Sequence, residues 1–169
     1  MRSWCLCCSA DSMIYMMKKY KNSIEKRLKM SENCIFCKIA NGEVPSKTIY
    51  EDEDFRVILD IEPASKGHAL ILPKKHYANI YELEEETASK VFVLAKKMAE
   101  NMTKALKCDG FNILQNNGEV AGQSVFHFHI HLIPRYKDDE VGLNMESKES
   151  PNYDLEEVKE AIKNYYLTE

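Results

Sequence analysis

A chain of 169 residues can bury the core of one domain and is too short for two of ordinary size, and its 44% hydrophobic and 30% charged residues read as soluble and globular. The net charge of −4 is uneven: residues 1–29 hold seven Lys and Arg against two acidic residues, a balance of +5, which leaves −9 for residues 30–169. An acidic body argues against a nucleic-acid-binding surface, which needs clustered Lys and Arg, and leaves room for a small phosphorylated substrate in a local pocket.

The chain opens on a segment without a clean amphipathic repeat. Its basic cluster follows its apolar patch, the reverse of a secretory signal. Met30 then begins "MSENCIFCKIANGEVPSK", which has the look of a protein's start, so residues 1–29 read as a disordered leader or a mis-called start, with a mitochondrial-type transit peptide as the weaker alternative. Cys5, Cys7 and Cys8 crowd together there, Cys34 and Cys37 form a C-x-x-C pair, and Cys108 stands alone; this is not the spread of a secreted disulfide framework. No apolar run approaches the ~20 residues needed to cross a bilayer. The expected compartment is the cytoplasm, with no membrane partner.

The expected main domain is residues 30–137. "FCKIANGE" reads as a helical turn, and "TIYEDEDFRVILDI" as two strands around an acidic turn. "GHALILPKKH" is a third strand, ended by Pro73. "ELEEETASKVFVLAKKMAENMTKALK" is one long helix with Val91, Leu94, Met98, Met102 and Ala105 on one face, ended by Cys108-Asp109-Gly110. "FNILQNN" and "SVFHFHIHLIPR" supply two more strands, joined by the loop "GEVAGQ". Residues 138–169 form an extension whose "YDLEEVKEAIKNYY" is a helix, with Asp154 and Glu157 at capping-box spacing. The fold class is α+β: an antiparallel sheet of about five strands, one long helix and a C-terminal helix.

"SVFHFHIHLIPR" places three of the five histidines on alternating positions. In a strand His127, His129 and His131 share one side, while Phe128, Ile130 and Leu132 point into the core. The histidines are therefore expected to line a surface or cleft. Three chemistries fit. Two of them could ligate a metal. An imidazole could attack phosphorus while its neighbour and small donors hold the phosphate oxygens, a role for which "NNGEVAGQS" offers Asn116, backbone N–H groups near Gly122, and Ser124. Or the triad could divide these duties.

"HFHIHLI" resembles the histidine-triad signature, His-x-His-x-His-x-x with apolar residues at each x. "CIFCKIANGEVPSKTIYEDEDFRVILDIEPASKGHALILPKKH" and "NILQNNGEVAGQSVFHFHIHLIPR" are similar to the two halves of that family's domain, in order, from about Cys34 to Arg135. The resemblance implies a hydrolase that cleaves nucleoside phosphoramidates or dinucleoside polyphosphates at the α-phosphate and releases a nucleoside monophosphate, with a purine nucleotide as substrate. It assigns the nucleophile to His129, phosphate contacts to His131, and a place near the phosphate to His68. Asn116, Gly122, Gln123 and Ser124 match its phosphate-binding loop, and Asp60 its ribose-binding carboxylate. Phe36, Ile39, Ile58 and Ile61 are candidate walls of the base pocket, and each reads equally well as ordinary core. Members that act mainly as transferases resemble the pattern with Gln at the third histidine, so His131 favours hydrolysis.

The resemblance also implies a structural zinc held by Cys34, Cys37, His76 and His127, as in some bacterial members, and a homodimer paired through the long helix and an adjacent strand. The rival readings are a nucleotide-binding module with little turnover and a metallohydrolase that uses two triad histidines as ligands.

Overall fold

The computed structural model describes residues 32–142 and 153–166, together with Met17, Lys18 and Lys21. The expected leader thus lies, apart from those three residues, outside the described residues. Five strands form one antiparallel sheet: β1 (Thr48–Glu51), β2 (Phe55–Leu59), β3 (Ala69–Pro73), β4 (Gly110–Leu114) and β5 (Ile130–Arg135), in the spatial order β1-β2-β3-β5-β4. Among the described residues, three α-helices have both ends in view: α1 (Ile35–Ala40), α2 (Glu85–Leu106) and α3 (Leu155–Tyr166); Met17, Lys18 and Lys21 are helical as well. The expected α+β architecture is the one observed.

Alternation along each strand sorts its side chains between two covers. Phe55 and Val57 of β2, Ala69 and Ile71 of β3, and Phe128, Ile130 and Leu132 pack with Val91, Leu94, Ala95, Met98 and Met102 of α2. Ile58, Leu70 and Leu72 face the other way and pack with Ala40, Phe36 and Ile39 of the α1 segment. All five residues of β3 are buried because that strand is covered on both sides. The α2 stripe follows the expected period, with Ala95 inside it and Ala105 exposed. The helix stops one residue earlier than expected, at Lys107, whose φ of 54° is left-handed.

α1 is six residues long, too short to hold itself together. Tertiary contacts hold it: Arg56 Nη1 donates to the Ile39 carbonyl at 2.8 Å and its Nη2 meets Glu51 at 2.8 Å, while Asn41 Nδ2 donates to the Cys37 carbonyl at 2.9 Å. The turn into β3 depends on Gly67, whose φ is +86° and where an added Cβ would lie 2.5 Å from Leu106 Cδ1. In α3, Asp154 caps the N-terminus by accepting from the Glu156 and Glu157 N–H groups at 2.8 and 3.3 Å. Among the described residues no helix is long and apolar enough to cross a membrane.

Two expectations about the histidine segment need correction. The strand begins only at Ile130, because β3 pairs with it as far as Ile71↔Ile130 and then ends in Pro73, which has no N–H to continue the ladder. The histidines also lie deeper than a surface face would place them: His127 is 0% and His129 5% exposed, while His131 is half-buried. The alternation is as read, but the α1 segment covers the face they occupy.

Candidate active site and metal centre

His127 Nε2 lies 2.9 Å from the Pro73 carbonyl. A carbonyl only accepts, so the proton sits on Nε2 and the lone pair on Nδ1. That lone pair points at two sulfurs, 3.5 Å from Cys34 Sγ and 3.4 Å from Cys37 Sγ. His76 Nδ1 lies 3.2 Å from Cys37 Sγ, and the ligand atoms of all four residues fall within 4.8 Å of one another. Tetrahedral zinc, with Zn–S of ~2.3 Å and Zn–N of ~2.05 Å, sets nitrogen and sulfur about 3.6 Å apart. The donor set therefore fits that ion in number, softness and spacing. The Cys37 thiol, hydrogen-bonded to Cys34, and His127 hold Cys34 well below the usual thiol range, and the same hydrogen bond with burial pushes Cys37 up. One thiolate is thus already favoured, as a metal ligand must be. Pro73 is a member of this centre that sequence reasoning missed: a backbone carbonyl leaves no trace in residue identity.

The second and third histidines are oriented by a different set of hydrogen bonds. His129 Nδ1 lies 2.6 Å from the His127 carbonyl, so Nδ1 carries the proton and Nε2 keeps a free lone pair. The edge of its ring meets Phe36 at 5.1 Å, and the His131 ring is 4.8 Å away. Burial lowers the His129 pKa from its ordinary value. His68 accepts the Ala64 N–H at Nδ1, 3.0 Å, so its Nε2 is the protonated nitrogen and donates to His131 Nδ1 at 3.0 Å. His131 is left with a proton on Nε2, available to an anion. Burial first, and then the like charges of His129 and His68, push His131 down to about 4. Asp60 Oδ2 stands 3.6 Å from His68 Nδ1 and its Oδ1 accepts the Glu62 N–H at 3.0 Å. Asp60 and His131 approach opposite nitrogens of His68, so these three form a chain of contacts and not a cage.

The loop before β5 turns through Gly118 and Gly122, with φ of +87° and +85°. Asn116 Nδ2 donates to the Gly122 carbonyl at 3.5 Å, and Ser124 is exposed. Gln123 is 2% exposed; its Nε2 donates to Ala78 and Val125 carbonyls at 2.7 and 3.1 Å and its Oε1 accepts the Gly118 N–H at 2.9 Å. That side chain holds the loop from within. Of the four candidate base-pocket residues, Phe36, Ile39 and Ile58 pack in one apolar cluster, while Ile61 is 93% exposed.

The sequence pattern of the HIT domain matches residues 41–138. The chain belongs to the HIT family. An uncharacterised HIT-like protein of Methanocaldococcus jannaschii is 48% identical over 130 residues, 77% of this chain and 98% of that protein. The adenosine 5′-monophosphoramidase of Schizosaccharomyces pombe is 43% identical over 67% of this chain and 81% of its own length. Among solved structures, a Zn-bound histidine triad family protein from Mycobacterium smegmatis superposes with a TM-score of 0.63 at 37% identity, over 70% of this chain and 86% of that one. As a HIT protein, the chain runs its three alternating histidines from the Cys2His2 cluster, which includes His127, into β5, where His131 pairs with Leu70.

Proposed function

We propose that this HIT protein hydrolyses nucleoside phosphoramidates or dinucleoside polyphosphates at the α-phosphate through a nucleotidyl-His129 intermediate, and releases a nucleoside monophosphate, with purine nucleotides as substrates. The observation that carries the reading is the hydrogen bond from His129 Nδ1 to the His127 carbonyl, which leaves Nε2 unprotonated in a buried site that disfavours the charged form. Attack by Nε2 forms an N–P bond as the bond to the leaving group breaks. Water then attacks phosphorus, breaks the N–P bond and restores the imidazole. His131 Nε2–H is placed to hold a phosphate oxygen, with His68 fixing its tautomer from behind. Asn116, Ser124 and the backbone around Gly122 serve the phosphate, Gln123 serves by shaping that loop, and Asp60 and Ile61 serve the ribose and base. The phosphoramidase named among the relatives supports this substrate class.

The same proposal gives Cys34, Cys37, His76 and His127 one structural zinc ion, supported by the donor spacing and by the zinc-bound relative. It makes the protein a cytoplasmic homodimer; a reducing compartment suits a thiolate site, and Phe92 and Val93 on α2, 51% and 54% exposed, suit a second buried face.

His129→Ala should lower turnover on the order of 10⁴-fold or more while nucleotide affinity stays near that of the parent. Rapid quench with labelled adenosine phosphoramidate should trap nucleotide on the parent protein and none on the variant. Binding without trapped nucleotide or turnover in the parent would leave a nucleotide-binding module instead, and metal-dependent turnover that passes without nucleotide trapped on the protein would favour a metallohydrolase.

A further inference from the structure

The metal cluster and the nucleophile share structural supports. His127 gives its Nδ1 to the cluster and its carbonyl, at 2.6 Å, to His129 Nδ1. Phe36 stands between the two cysteines in sequence and puts its ring against His127 at 6.1 Å and His129 at 5.1 Å. Both restraints on the His129 ring therefore run through segments that the two sulfurs hold. The sulfurs are also reachable: Cys34 is half-buried and lines a groove of about 490 Å³ with Ile35, His76, Ser124 and Phe126, while Cys37 lies behind it, buried. The two thiols open a helix at C-x-x-C spacing, an arrangement that closes readily into a disulfide.

We propose that Cys34 and Cys37 are a redox control on the active site: oxidation by a peroxide joins them, frees the metal and releases the His129 ring from its catalytic orientation. This rests on the hydrolase and zinc readings above. Cys34 Sγ attacks one peroxide oxygen, the O–O bond breaks, and hydroxide leaves a sulfenic acid on Cys34. Cys37 Sγ then attacks that sulfur, forming the S–S bond and expelling a second hydroxide. The two sulfurs lose two electrons and the peroxide gains them, while two protons from solvent convert the hydroxides to water. Two imidazoles remain, too few donors to retain a structural zinc ion. A dithiol reverses the change.

The test uses the full chain carrying Cys5→Ser, Cys7→Ser, Cys8→Ser and Cys108→Ser, so that only this pair can form a disulfide, loaded with zinc and titrated with hydrogen peroxide. Zinc release, read by a chromogenic chelator, should rise in step with the loss of two hydrogens from the intact mass. Long-range ¹H–¹⁵N spectra of the imidazoles should show His129 losing its Nδ1-protonated signature, and turnover should fall on the order of 10- to 100-fold, as small misplacements of reacting groups do. Dithiothreitol with zinc should restore all four. Zinc kept through oxidation of the pair, or zinc lost with the His129 signals unchanged, overturns the proposal. If the reduced, zinc-loaded chain turns over no nucleotide, the hydrolase reading fails, and the zinc and imidazole signals still decide the switch.

Discussion

At the scale of single residues, the site is a problem in placing protons. Two carbonyls and one backbone N–H settle which nitrogen of His127, His129 and His68 is protonated, and His131 follows from His68. Burial favours the neutral forms of His68, His129 and His131 in the fold, which has a consequence for acid. Above about pH 6.5 neither the folded nor the unfolded chain protonates them. As pH falls below that value the unfolded chain takes up protons first, because the folded His131 is held down to about 4, so stability declines until the pH nears 4. His131→Gln should flatten this decline; melting temperatures of parent and variant between pH 7 and pH 4.5 that run parallel would refute the assignment. Residue identity alone announced the three histidines and their common side. It could not announce the burial of His127 and His129, since that depends on a six-residue helix whose covering role has no periodic signal of its own.

The secondary-structure elements were legible to different degrees, for physical reasons. The strands β1, β2 and β3 declare themselves through β-branched runs and an acidic turn, and α2 through its apolar period. Its end was harder to read, because a left-handed lysine occupies a position where Gly is the usual signal. The start of β5 was misplaced because ladder length is decided by the partner strand, which stops at Pro73. Elements also meet at points that no single segment reveals. Gly67 precedes β3 but is constrained by the last residue of α2, Leu106, so Gly67→Ala combines a positive-φ penalty with a steric clash. A loss of about 1–3 kcal/mol in denaturant melts is expected, with the slope of the transition unchanged. A neutral result would mean that the end of α2 yields at no cost.

For the whole molecule, the sheet order places β1 and β4 at the two edges. Ile113 on β4 is 45% exposed, and pairing of β4 with a second copy would cover an open edge. A chain begun at Met30 should keep the parent's turnover and melting temperature and should sediment at twice its chain mass at micromolar concentration. A large loss of activity would show that residues 1–29 complete the site, and a monomer mass would reject the pairing. The fold class could be read from the sequence because both halves of the domain lie in chain order. The assembly could not, since an exposed apolar helix face reads the same whether it awaits a partner or another part of the same chain.

The four sulfur and nitrogen donors of the metal cluster come from widely separated parts of the chain: Cys34 and His127 are 93 residues apart, and Cys37 and His76 are 39 apart. They can meet only after β2, β3 and the segment leading into β5 have come together, so the loop-closure entropy is overcome before the ion finds its full set of ligands. Zinc bound there, as proposed, should therefore act on the way out of the native state and not on the way in. Refolding rates should be the same with and without the ion, while unfolding should slow about tenfold for each ~1.4 kcal/mol that the metal contributes. Stopped-flow traces in which zinc speeds refolding would place the cluster in the folding nucleus instead. In a cell, a chain of this kind would complete its fold first and acquire persistence afterwards, its lifetime set by metal supply more than by the ease with which it folds.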